Sequence, residues 1–231
     1  MALMQLAQPE EHRGFHARAA TSYTHLVARH QTDAVLSVAC QGAADTHRVM
    51  TALWSKAAAA SDPEASFFRL ASQVTARALA VPGPSGARAG VMVEASRRSW
   101  THALQAANIP LVFPASRVVS LEVPDFTSAR DRLTGGLGAQ QAGAVLAAQS
   151  RQQAGTVEGV LAGVRAYLLD AAVVAGDEGL LSVHARLAWL AEGGVNAGTV
   201  EGLVEHVRQV IGPVEMVRLA PYLKAAITPP G

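Results

Sequence analysis

The chain has 231 residues, of which half are apolar, 16% are charged and 5% are aromatic, with a formal charge of +1. A disordered chain would carry fewer apolar residues and more net charge, and the single Cys40 rules out a disulfide-stapled module. With 46 alanines and no short strict period, the composition is that of a folded chain of one or two domains.

Seventeen of the nineteen cations are arginine, and the only lysines are Lys56 and Lys224. The near-neutral balance is unlike that of a dedicated nucleic-acid coat. The positive side lies in the first half: residues 1–110 hold ten cations and seven anions, whereas residues 134–231 hold six and eight. No cationic segment precedes an apolar stretch near Met1, so no signal peptide is expected. The longest apolar run, near 157–175, is interrupted by Arg165 and Asp170. No transmembrane helix is therefore expected, and a reducing cytoplasm suits the single cysteine.

Pro9-Glu10-Glu11 starts a helix, because proline suits the first turn and the acids face the positive end of the dipole. That helix reaches about His30. Thr32 or Asp33 can cap a second helix through about Ala60. Ser61-Asp62-Pro63-Glu64 starts a third, ending near Val81. Pro82-Gly83-Pro84-Ser85-Gly86 is the strongest breaker in the chain. Residues 88–107 read as a helix. Residues 109–113 and 118–123 are rich in β-branched and apolar side chains and predict a small β-hairpin, with Pro110 and Pro114 confining its first strand to an edge.

From 139 to 227 the pattern is helical again and contains an internal repeat. Residues 155–168 read GTVEGVLAGVRAYL and residues 198–211 read GTVEGLVEHVRQVI, with seven of fourteen positions identical. Both copies carry an i, i+3, i+4, i+7 apolar stripe, and Thr156 and Thr199 can cap them. A further helix is expected over 180–191, and a shorter apolar segment over 217–227 is broken by Pro221. The tail thus reads as two helical hairpins. The expected fold is mainly α, organised as helical modules over 1–81, 87–133 (with the hairpin) and 134–231.

Few residues offer chemistry. His12 and His16 are four apart and share a helix face, but His30 lies about 27 Å from His12 along the axis, and His25 or His47 could join them only through tertiary folding. Cys40 sits among apolar neighbours, where small thiols are usually inert. No Gly-x-Ser-x-Gly elbow or pair of Glu-x-x-His motifs exists. The Gly-rich stretch 134–138 lacks the Lys-Ser/Thr ending of a phosphate loop. No catalytic residue, metal, cofactor, membrane contact or small-molecule substrate is therefore expected.

Two functional expectations remain. The leading one is a non-catalytic structural or scaffolding protein that self-associates through its C-terminal helices. Val157, Leu161, Val164, Leu168, Val200, Leu203, Val207 and Ile211 would form its core or interface. Gly159, Ala162, Gly163 and Ala166 on the neighbouring face would let another helix approach closely. The alternative is a DNA- or RNA-binding protein with a winged-helix-like arrangement. It would use the basic segment 86–117 through Arg88, Arg97, Arg98, Trp100 and Arg117, because arginine contacts phosphates and an aromatic can stack on an unpaired base.

Overall fold

The computed structural model describes residues 9–81, 89–116, 118, 134 and 137–228, and the chain divides into two compact units, Met1–Val123 and Pro124–Gly231. Eight helices are described: α1 (Pro9–Arg29), α2 (Ala34–Ala57), α3 (Pro63–Leu79), α4 (Ala89–Ala106), α5 (Ala139–Gln152), α6 (Val157–Ala197), α7 (Val200–Val210) and α8 (Pro213–Ile227). No strand occurs among the described residues.

In the first unit the helix starts follow local chemistry. The Asp33 carboxylate accepts a hydrogen bond from the Leu36 amide at 3.0 Å, and Asp62 accepts from the Ala65 amide at 3.1 Å with Pro63 in the first turn. Each satisfies a backbone donor that the helix itself leaves unpaired. The four helices converge on Trp54. Its indole stacks on Phe67 of α3 at 4.0 Å and on the His12 imidazole of α1 at 4.6 Å. Val49, Leu53, Val74, Ala103, Leu104 and Ile109 complete that core.

The expected β-hairpin over 109–123 is not seen among the described residues. The apolar run begins as the C-terminal cap of α4. Asn108 takes the left-handed conformation (φ 53°), its amide donates to Gln105 O, and the Ile109 amide donates to Leu104 O, each at 3.0 Å. This is the Schellman closure, completed by contact between the apolar residues on either side of it. Ile109 and Leu104 are both buried in the same core cluster. Downstream, Leu111 and Phe113 lean on that core while Val112 is 90% exposed. The in-out alternation is real, but it belongs to an irregular segment. Of its intended partner, residues 118–123, Val118 is described and is not in a strand, and residues 119–123 lie outside the described residues.

The second unit departs from the expected pair of helical hairpins. Residues 157–197 form one continuous helix of 41 residues, so the helix expected over 180–191 is the far end of α6. Gly176 and Gly179 lie within it without breaking it, since a helical glycine costs only about 1 kcal/mol, against about 3 for proline. Likewise Pro221 lies inside α8 without ending it.

The repeat is reproduced as two equivalent helix starts. Gly155 (φ 85°) and Gly198 (φ 60°) take positive φ, and the Thr156 and Thr199 hydroxyls each accept from the amide of a glycine, Gly159 and Gly202, at 3.1 Å. Positive φ is the conformation that glycine enters without steric cost. The apolar stripes are covered within the unit: Val164, Leu168, Leu203, Val207 and Ile211 are buried, and Val157, Leu161 and Val200 are partly so. The small residues of the first copy admit close neighbours. A Cβ on Gly159 would strike the Gln153 carbonyl, and one on Gly163 would meet Ser150 Oγ at 2.9 Å and Tyr222 O at 3.4 Å. Gly159 and Gly163 thus face the end of α5 and, at Gly163, α8. The closest approach of α7 is at the other end of α6, where the His206 ring lies over Gly193 and its Nε2 is 3.1 Å from Trp189 O.

Alanine at two glycines should give opposite outcomes. Gly159→Ala meets immobile backbone and should lower the unfolding free energy by about 1–3 kcal/mol. Gly42→Ala, in the middle of α2 with nothing within 4 Å of the new methyl, should raise it by up to about 1 kcal/mol. Urea denaturation of both variants against the native chain reads the two signs.

Candidate functional site

The densest polar arrangement lies among α1, α2 and α4. Asp45 is the only acid on α2 and is buried. Arg97 of α4 grips it with both sides of its guanidinium, Nε to Oδ2 at 2.6 Å and Nη2 to Oδ1 at 3.1 Å. Arg48, one turn along α2, donates to the same Oδ1 at 2.6 Å, and Gln41 Nε2 donates to it at 3.0 Å. Arg48 Nη2 then donates to Thr24 Oγ1 of α1 at 2.7 Å, and the Arg97 guanidinium lies 5.5 Å from the centre of the Phe113 ring. Fork-on-carboxylate pairing is the strong form of such a bond. In a buried setting, removal of one partner leaves an uncompensated charge and typically costs about 3–5 kcal/mol.

Arg97 is one of the residues expected to take part in the nucleic-acid alternative. It is 6% exposed and bound to Asp45. Trp100 is partly buried against the Trp54 core. Arg98 is exposed, and Arg88 and Arg117 lie outside the described residues. Sequence reasoning missed Asp45 altogether. The available signal was a lone acid, preceded by Ala43 and Ala44, in a helix otherwise free of acids.

A second cluster fills the α1–α2 seam one layer away. His16 Nδ1 and His47 Nδ1 are 2.8 Å apart, so one nitrogen carries the proton and the other accepts it. Phe15 stands edge-on to both rings and Tyr23 stacks on His47 at 5.5 Å. Tertiary folding thus brings in the partner that His16 lacks along its own helix. Burial, with the neighbouring His12 charge, lowers the His16 pKa from 6.5 to about 4. Among the described residues no group of three His, Cys, Asp or Glu side chains is placed to hold a metal ion, and Cys40 is a free, buried thiol.

In the second unit the Tyr222 hydroxyl donates to the Asp170 carboxylate, which pushes the Tyr222 pKa up to about 12. Arg186 pairs with Glu215 at 2.8 Å, tying α6 to α8. These bonds join neighbouring helices.

An open groove lies in the first unit. It has a volume of about 620 Å³, runs between α1 and α2 and is closed on one side by residues 109–111. Ala17, Ala20 and Ala52 line it together with Ile109 and Leu111, and its cations are Arg48 and Lys56. Comparison with protein-family models, curated proteins and solved structures gave no match.

Two outcomes follow. Asp45→Asn and Arg97→Met should each lower stability by about 3–5 kcal/mol, read by thermal or urea unfolding. The depressed His16 pKa sets the acid response. The unfolded chain takes up a proton near pH 6.5 and the folded one only near pH 4, so the stabilising contribution is full above 6.5 and is lost as pH falls towards 4. The loss is on the order of 3 kcal/mol. It should flatten in His16→Gln when unfolding is measured between pH 7 and pH 4.

Proposed function

We propose that the chain is a non-catalytic helical scaffolding protein that self-associates through its C-terminal unit. The contact surface is the outward side of α5, with the adjoining α8 contributing. The repeated apolar stripes serve as the internal core of that unit and are not the meeting surface.

The observation that carries this reading is the low charge of α5. Its outward residues Gln140, Gln141, Ala144, Val145 and Gln149 are exposed, and the helix has no charge before Arg151. Val145 is 56% exposed at the centre of this face, and Val217 of α8, a helix in contact with α5, is 55% exposed. Small and amide side chains pack between helices without desolvating a charge, and apolar surface left in water favours association. The chain-wide charge content of 16% is also below the roughly 25% of ordinary globular chains.

The nucleic-acid alternative receives less support. Of its five residues, Arg97 is held by Asp45 and Trp100 packs against the core, leaving Arg98 as the exposed member among the described residues.

Light scattering on a concentration series tests the proposal. The native chain should show a mass of two or more subunits at high concentration, and Val145→Glu should return it to a monomer without loss of helix content. A native chain that stays monomeric throughout overturns the reading.

A further inference from the structure

The groove between α1 and α2 combines an apolar floor with positive charge at its edge. Ala17, Ala20 and Ala52 leave room that larger side chains would fill, and Ile109 and Leu111 provide an aliphatic wall. Three hydroxyls also line it, but their hydrogens point at their own helices. Thr21 donates to Ala17 O at 3.1 Å, and Thr51 and Ser55 donate to His47 O and Thr51 O at 2.9 Å each. They are not available to hold an anion unless those bonds open.

Of the groove's two cations Lys56 is exposed, whereas Arg48 is already paired with Asp45 and retains only its remaining donors. Arg48 and Arg97 share the single carboxylate of Asp45, so a positive charge is left over beneath the groove. Glu94 offsets it weakly, because that carboxylate is largely solvated and 3.4 Å from Arg97. Arg48 uses one N–H on Asp45 and one on Thr24, and its guanidinium carries further donors. Lys56 is exposed and takes part in no ion pair among the described residues. No acidic side chain lines the groove. Its volume of about 620 Å³ falls in the range of sites that take small ligands, roughly 300–1,000 Å³.

We infer that this groove binds a small amphipathic carboxylate, its head held by Lys56 and Arg48 and its aliphatic body laid over the alanine floor against Ile109 and Leu111. The inference is independent of the self-association reading, which concerns the other unit.

Calorimetric titration of the full chain with decanoate, kept monomeric at low ionic strength, should give saturable one-to-one binding. Lys56→Gln should weaken it about three- to fivefold, the scale of one exposed ion pair. Ala17→Trp fills the groove from α1 and should remove binding while circular dichroism shows the helices intact. If that variant does not fold, Lys56→Gln decides alone. Decyl maltoside, with the same chain and no charge, should bind more weakly than decanoate. Four results overturn the inference: no saturable binding of decanoate, unchanged affinity in Lys56→Gln, binding retained in a folded Ala17→Trp, or equal affinity for the neutral detergent. Attachment to anionic phosphatidylglycerol vesicles without decanoate binding also overturns it, since the surface would then be a lipid-bilayer contact.

Discussion

A single buried carboxylate organises the first unit. Asp45 draws Arg97 inward from α4 and Arg48 from its own helix, and through Arg48 reaches Thr24 on α1. A lone charge in that position would be strongly unfavourable, because the interior has little capacity to solvate it. The paired arrangement is tolerated only while each member is in place, so the network fixes which faces of α1, α2 and α4 meet. Apolar packing around Trp54 supplies bulk stabilisation but is more permissive of register. An aliphatic or aromatic contact survives a small rotation that a two-point ion pair does not.

The same pairing shapes the surface. Two guanidiniums share one buried carboxylate beside an alanine-lined groove, and the largely solvated Glu94 offsets the second only weakly. Structure and binding potential are thus consequences of one stoichiometry. The second unit lacks a comparable buried charge network among the described residues. Its helices approach closely instead because glycine and alanine occupy the crossing points. Gly163 lies against Ser150 and Tyr222, and Gly193 lies under the His206 ring.

Much of the helical layout was legible in the sequence. Pro9-Glu10-Glu11, Asp33, Asp62-Pro63, Thr156 and Thr199 each mark a helix start by local chemistry, and local chemistry is what sequence displays. The errors arose where local signals were ambiguous. The run after Asn108 alternates like a strand, but its first residue is the apolar half of a helix cap, as the asparagine before it signalled. The segment 180–191 reads as a separate helix, yet a long helix held by α5, α7 and α8 runs through Gly176 and Gly179 and accommodates their modest cost. The candidate site was the least legible part. Nothing local indicates that Arg97 turns inward, because its partner lies 52 residues earlier in the chain. Arg97-Arg98 therefore resembled a solvated basic face, of which Arg98 alone is exposed.

The account rests on Asp45 and Arg97 acting as one unit, which a double-mutant cycle measures most directly. Unfolding free energies of Asp45→Ala, Arg97→Ala and the double variant should reveal a coupling of at least about 2 kcal/mol, with the double variant losing far less than the sum of the singles. Additive losses, with a coupling near zero, would show that the two side chains contribute independently and would contradict the central place given to their contact.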